Sequence, residues 1–135
     1  MIVADASWVI ALRDPSDPHH QAAVELNDAT RDEEVVLHPV TFAETLVGPA
    51  KMGALSQAAA GARAAYEIIA VDGEAPLRWA NLRATTTLRL PDAIVLDTAI
   101  THAAVMILTF DRGLAAAAQA NSISAPANAT QIARS

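Results

Sequence analysis

The sequence predicts an α/β sandwich with a largely parallel central sheet. Two observations predict it. Short, continuously apolar runs alternate with alanine-rich helical stretches along most of the 135 residues, the pattern of repeated strand–helix–strand units. The chain also has the length of a single domain, with no internal repeat and no linker to divide it. Right-handed crossovers between parallel strands then bring the strand carboxyl ends to one edge of the sheet. That is the edge where open α/β sheets bind ligands.

The first strand is Ile2-Val3-Ala4, which runs straight into Asp5. A helix over 6–13 follows, carrying Trp8, Val9, Ala11 and Leu12. Asp17-Pro18 reads as the N-cap and first residue of a second helix, about 18–29, with Ala22, Ala23, Leu26 and Val24 inward. Its pair His19-His20 fits exposed first-turn histidines better than a zinc site. Helix neighbours point about 100° apart, and zinc usually gathers three or four ligands. Residues 31–34 form a charged turn, and Val35-Val36-Leu37-His38 a short strand closed by Pro39. The helix over 40–47 is interrupted by Gly48-Pro49, and Gly53 marks the break before an alanine-rich helix over 54–66. Residues 68–71 read as a strand with Asp72-Gly73 as its turn, and 74–86 as a helix. Leu90-Pro91-Asp92 opens a helix to about His102, with Ala93, Leu96, Ile100 and Ala104 as its apolar stripe. Residues 105–108 are a buried-type strand that ends in Thr109-Phe110-Asp111, ahead of a helix over 112–120. Ser122-Ile123 forms a last short strand. From Ala125 on, the lack of periodicity predicts a loosely held tail over 125–135 behind a folded domain over 1–124.

Hydrophobic residues make up 53% of the chain, much of it alanine, which favours helix-rich packing. The absence of cysteine excludes disulfides and thiolate metal sites and suits a reducing cytoplasm. Asp5 interrupts the first apolar run and no basic segment precedes it, so the start does not read as a signal peptide. No apolar run approaches the roughly 20 residues of a membrane span. The net charge of −6 has the wrong sign for a general nucleic-acid binder. The acids are therefore either spread over a solvated surface or partly gathered around a cation. Lys51 is the one lysine beside eight arginines. Arginine suits bidentate phosphate contacts, but a GC-rich coding bias produces the same skew.

Four acids share one feature: each follows an apolar strand or opens a helix on the same edge. Asp5 follows the first strand, Glu44 lies one turn into the helix after Val35-Val36-Leu37, Asp92 opens its helix, and Asp111 follows the strand over 105–108. Each alone also fits a local role. Asp5 and Asp111 fit N-caps, Glu44 fits the capping box Thr41-x-x-Glu44, and Asp92 complements a helix dipole. A shared edge changes the balance. Two carboxylates about 5 Å apart repel by roughly 3 kcal/mol at an effective dielectric of about 20. Several such pairs cannot all stay ionised unless protons or a divalent cation sit among them. All-oxygen donors select a hard ion, Mg²⁺ or Mn²⁺. Such an ion can bind a phosphate oxygen and activate water, which points to phosphodiester hydrolysis.

Ile-Val-Ala-Asp5-Ala-Ser, Glu44 in Thr-Phe-Ala-Glu-Thr-Leu, Leu-Pro-Asp92-Ala-Ile and Leu-Thr-Phe-Asp111-Arg together resemble a PIN-domain ribonuclease. Within that family the chain looks most like the toxin of VapBC-type toxin–antitoxin pairs. The resemblance spans nearly the whole chain in order and spacing, and the tail after Ile123 carries no motif. It implies a three-layer α/β/α PIN-like nuclease fold with a largely parallel central sheet over 1–124, usually homodimeric. It implies RNA cleavage with Mg²⁺ or Mn²⁺, often of one narrow class such as a tRNA or an rRNA loop. It also implies a cognate VapB-type antitoxin that blocks the acidic groove. Carried onto this chain, Asp5 and Asp92 are the main metal ligands. Glu44 and Asp111 complete the catalytic acids, through bound waters or a second ion, with Asp111 a metal ligand as well. Ser7 and Thr109 are then placed to hydrogen-bond to Asp5 or to bound water, and a metal-activated water attacks the phosphorus in line.

Asp97 lies about 140° around its helix from Asp92, which predicts a place away from the ligands and beside an arginine. Arg89 and Arg112 flank the acids in sequence and suit RNA phosphates, an antitoxin carboxylate or ordinary surface ion pairs. Trp8, Phe42 and Trp79 read as core, with the face bearing Trp8 and Leu12 open to an apolar antitoxin segment as the other reading. Two rival functions remain. A phosphohydrolase of the haloacid dehalogenase type also places an aspartate after strand one. It needs a second acid where Ser7 stands and a late lysine where the chain has none. An inactive PIN-like binding module is the other rival, and the presence of all four acids speaks against it.

Overall fold

The computed structural model describes residues 1–132. Its centre is a sheet of four short parallel strands: β1 (Ile2–Ala4), β2 (Val35–Leu37), β3 (Glu67–Ile68) and β4 (Met106–Leu108), in the order β3-β2-β1-β4. Between β1 and β2 run α1 (Ala6–Arg13) and α2 (His20–Ala29), and between β2 and β3 run α3 (Pro39–Lys51) and α4 (Leu55–Ala65). The chain then crosses under the sheet through α5 (Ala75–Thr85) and α6 (Leu90–Thr101) to reach β4 on the far side of β1, and α7 (Arg112–Ala120) follows. Among the described residues no helix is long and apolar enough to cross a membrane.

The strands explain the layers. Side chains alternate across a strand, and the register holds Ile2 beside Val35 and Met106, and Val3 beside Val36 and Ile107. Ile2, Ala4, Leu37, Met106 and Leu108 pack with Trp8, Leu26 and Phe42 from α1, α2 and α3. Val3, Val36 and Ile107 pack with Leu96, Leu114 and Ala118 from α6 and α7. The sheet is thus buried on both faces, as parallel sheets are, and the fold is a three-layer α/β/α sandwich.

Several expectations need correction. Gly48-Pro49 does not interrupt α3, which runs through Pro49 to Lys51. Proline at 49 removes the N–H that would bond the Thr45 carbonyl, and Arg13 Nη2 supplies a donor to that oxygen at 2.6 Å. Asp17 does not cap α2. Its carboxylate accepts the His19 N–H at 2.8 Å and its carbonyl the His20 N–H, a tight turn that delays the helix to His20. Val24 is exposed. The third strand is two residues long and begins at Glu67, with only the Ile69 N–H extending the pairing, to Leu37 O. Ser122-Ile123 is no strand. A single bridge joins Ser124 to Met106, after Ser122 takes φ 60. The expected stripe on α6 gives way to burial on nearly all sides, from Ala93 through Ala99, while Ile100 is exposed. Beyond Ser124, Ala125 and Pro126 are buried and a 3-10 turn, Ala129–Gln131, lies against α2. Residues 133–135 of the expected tail lie outside the described residues.

Two polar residues hold helices in place. His38 caps α3: its Nδ1 accepts the Val40 N–H at 3.0 Å, which assigns the proton to Nε2. Burial holds its pKa below the ordinary imidazole value, and the ring stands edge-on to Trp79, centroids 5.4 Å apart. Asp97 is buried and docks α5 on α6. Its Oδ1 accepts from Arg78 Nε at 2.8 Å and Thr101 Oγ1 at 3.2 Å, and its Oδ2 from Trp79 Nε1 at 3.0 Å. Only Ala75 of α5 is fully buried, so this clasp does what an apolar stripe does elsewhere. Asp97→Ala leaves Trp79 Nε1 without its acceptor and Arg78 with Asp72 alone, and is expected to cost about 2 kcal/mol in urea unfolding. A loss under about 0.5 kcal/mol, the usual scatter of surface substitutions, would show that α5 is held by something else.

Candidate active site

The strand order reverses at β1. The chain winds outward from β1 to β2 and β3, then returns to place β4 on the other side. Such a switch point opens a crevice at the carboxyl ends of the two central strands. Asp5 follows β1 there, and Thr109-Phe110-Asp111 follow β4.

Asp5 is buried at 6% exposure and its carboxylate is surrounded by donors. Oδ1 accepts from Ser7 Oγ at 2.7 Å and from the Trp8 N–H at 3.0 Å, and Oδ2 accepts from Thr109 Oγ1. Both hydroxyls are themselves acceptors: the Phe110 N–H donates to Ser7 Oγ and the Asp111 N–H to Thr109 Oγ1, each at 3.0 Å. Two hydroxyls therefore stitch the loop after β4 onto the carboxylate after β1. Burial pushes the Asp5 pKa up, the three hydrogen bonds pull it down, and the charge of Asp111 adds to the rise. A carboxylate oxygen has about two lone-pair sites. Oδ1 is saturated, and Oδ2 keeps one site open.

The local roles considered for these acids hold in part. Asp5 and Asp111 are N-caps, Asp111 through Oδ1 to the Leu114 N–H at 2.8 Å. Capping uses one oxygen of each. Glu44 is not in a capping box, because α3 begins at Pro39 and puts Thr41 inside the helix, buried. Glu44 is exposed, its pKa raised by burial and by the charge of Asp5. Asp92 sits in the first turn of α6. Burial, then the charges of Asp111 and Asp5, push its pKa up to about 6; Arg89 opposes them and Glu44 adds to them. Asp92 therefore feels the charge of the other three acids across the crevice.

Among the described residues no three Asp, Glu or His side chains close into a complete ligand set. The donors fit a hard divalent ion all the same, since Mg²⁺ is commonly held by one or two carboxylates and keeps several waters. Asp5, Asp92 and Asp111 offer carboxylate oxygens at helix starts on the crevice edge.

The other residues singled out from sequence fall as follows. Asp97 is turned away from the acids and paired with Arg78. Arg89 and Arg112 are exposed, and neither makes an ion pair with a described residue. His19 is exposed, and His20 Nδ1 donates to the Ala11 carbonyl at 2.8 Å. Trp8 and Phe42 are core. Gly113 was not singled out. A Cβ there would stand 3.3 Å from Asp111 Oδ1 and press on the cap. The signal was the Asp-Arg-Gly run, where glycine follows a capping acid by two residues.

A family model described as PIN domain matches residues 2–120. The chain belongs to the PIN-domain family. Solved structures share the fold at low identity. A toxin–antitoxin complex from Klebsiella pneumoniae aligns at TM-score 0.66 and 24% identity, over 85% of this chain and 91% of that one. VapC20 of Mycobacterium tuberculosis, a sarcin-ricin loop cleaving toxin, aligns at TM-score 0.73 and 18% identity, over 87% and 95%. FitAcB from Neisseria gonorrhoeae aligns at TM-score 0.61 and 18% identity, over 93% and 96%. The curated proteins hold no significant match.

The raised Asp92 pKa has a definite sign. Between the ordinary 3.8 and about 6 the folded chain keeps a proton that the unfolded chain has lost. This group's contribution to the metal-free fold is full below that window and is lost as pH rises through about 6. A cation must displace the same proton. Calorimetric Mn²⁺ affinity is therefore expected to rise through about pH 6 with proton release, and Asp92→Asn to flatten that dependence. Affinity independent of pH between about 5 and 7 would remove Asp92 from the cation site.

Proposed function

We propose that the chain is a metal-dependent endoribonuclease and the toxic half of a type II toxin–antitoxin pair, acting in the cytoplasm as a homodimer. The observation that carries this reading is the buried Asp5 carboxylate at the switch point of the sheet, with one site on Oδ2 open, where Asp111 follows β4 and Asp92 opens α6. Four acids within electrostatic reach at a switch-point crevice have a use when a cation joins them. The names of the structural neighbours support the toxin reading and a VapB-type antitoxin as partner. The sarcin-ricin loop that VapC20 cleaves supports a structured RNA, such as an rRNA loop or a tRNA, as substrate.

When bound, Mg²⁺ or Mn²⁺ would polarise a phosphoryl oxygen and lower the pKa of an attacking water. The chain's own residues do the rest. Asp5, held rigid by Ser7 and Thr109, presents the open site on Oδ2. Asp92 and Asp111 face the same crevice from α6 and from the start of α7. Glu44, exposed on α3, holds water on the side facing solvent. Arg89 and Arg112 offer charge to the RNA phosphates that the acids would otherwise repel. A haloacid dehalogenase-type reaction has no support in this geometry. Ser7 stands where a second acid belongs, and Lys51 ends α3, exposed.

Purified protein free of antitoxin, given total tRNA and rRNA with Mg²⁺ or Mn²⁺, is expected to release discrete fragments. EDTA or Asp92→Asn should abolish them, and Thr109→Val should slow them about 10–100-fold by loosening Asp5. Full activity in a folded Asp92→Asn protein would contradict the assignment of that residue. No cleavage and no Mn²⁺ binding would leave Asp5 and Asp111 with their capping roles alone.

A further inference from the structure

We propose that His19 and Phe110 form a base-stacking platform that seats an unpaired nucleobase of the RNA beside the scissile phosphate, an inference that rests on the ribonuclease reading above. The two rings lie parallel, centroids 4.5 Å apart with an interplanar angle of 6°. Phe110 stands between Thr109 and Asp111, and its N–H donates to the same Ser7 hydroxyl that donates to Asp5. The ring is thus fixed to the acidic site through one hydroxyl. His19 comes out of the turn before α2. Its N–H is held by Asp17 Oδ1 at 2.8 Å, and the next residue, His20, is tied to the Ala11 carbonyl at 2.8 Å. One face of the His19 imidazole is covered by Phe110, and the residue as a whole is nonetheless exposed.

The remaining aromatic side chains have other occupations. Trp8 and Phe42 are buried in the core, Tyr66 packs edge-on against Trp8, and Trp79 serves Asp97 and His38. The stack next to Asp111 is the aromatic surface left for a ligand among the described residues. The charge of the chain gives it a purpose. At −6 overall with one lysine, the protein cannot draw RNA in by a basic field. Stacking is independent of net charge and tolerant of base identity. It requires a base that can leave its helix, as loops and bulges allow and continuous duplex does not. The platform therefore selects an unpaired nucleotide next to the cleaved bond.

The test uses a hairpin RNA carrying the cleavage site mapped with the wild-type protein. His19→Ala is expected to lower kcat/KM about tenfold, mostly through KM, with melting temperature and Mn²⁺ affinity unchanged. His19→Phe, which keeps a ring, should restore most of the loss, and Phe110→Leu should reproduce it. An abasic nucleotide beside the cleaved bond should weaken the wild-type protein by a similar factor and leave His19→Ala unaffected. Unchanged kcat/KM in His19→Ala and Phe110→Leu, with the wild type active, overturns the platform and leaves the ribonuclease standing. Normal cleavage by a His19→Ala protein that its antitoxin no longer silences overturns it too, and assigns the pair to a protein interface. A wild-type protein that cleaves no RNA overturns both readings.

Discussion

The structure depends on a carboxylate placed where a carboxylate is costly. Asp5 ends the central strand at 6% exposure, and an ionised group there needs hydrogen bonds from every side. It receives three, from Ser7, Trp8 and Thr109. One starts α1, since the Trp8 N–H is an orphan donor of the first turn. The Thr109 bond crosses from the end of β4, over a hundred residues away in sequence, and the Ser7 hydroxyl meets the same loop through the Phe110 N–H. Because each hydroxyl also accepts a backbone N–H from that loop, Phe110 and Asp111 are positioned by the same bonds that satisfy Asp5. The cap of α7 and the seam between β1 and β4 are therefore one construction.

The arrangement spends fold stability on chemistry. Burial and neighbouring charge raise the pKa of Asp5, Glu44 and Asp92 together, so the metal-free crevice opposes its own ionisation. Like charges collected at one strand edge keep protons until a cation replaces them, which is the basis of the proposed cation site. The surrounding fold bears the strain. The sheet is buried on both faces, α6 is packed almost all round, and Asp97, the remaining buried acid, is neutralised by Arg78 with hydrogen bonds from Trp79 and Thr101.

Much of this was legible in the sequence because the signals were local and strong. Apolar runs running into Asp5 and into Thr109-Phe110-Asp111 marked strands and their carboxyl ends. Parallel topology then converted four separate positions into one edge. What escaped was what tertiary partners decide. Gly48-Pro49 read as a break, since nothing local shows that Arg13 will replace the lost donor at Thr45. Asp17 read as a cap, but its side chain found a turn N–H two residues on. The α6 stripe was read for a one-faced helix, whereas α5, α7 and the sheet cover it nearly all round. The pairing of His19 with Phe110 joins residues 19 and 110, a distance over which sequence periodicity carries no information.

The central claim is that the four acids form a cation site whose anchor is Asp5. The most direct measurement is anomalous scattering at the manganese edge from crystals grown with Mn²⁺. The account predicts a peak in the crevice between β1 and β4, within ligating distance of Asp5 Oδ2 and the Asp92 carboxylate. A peak elsewhere, or a crevice that stays empty while protein in solution binds Mn²⁺, would contradict it.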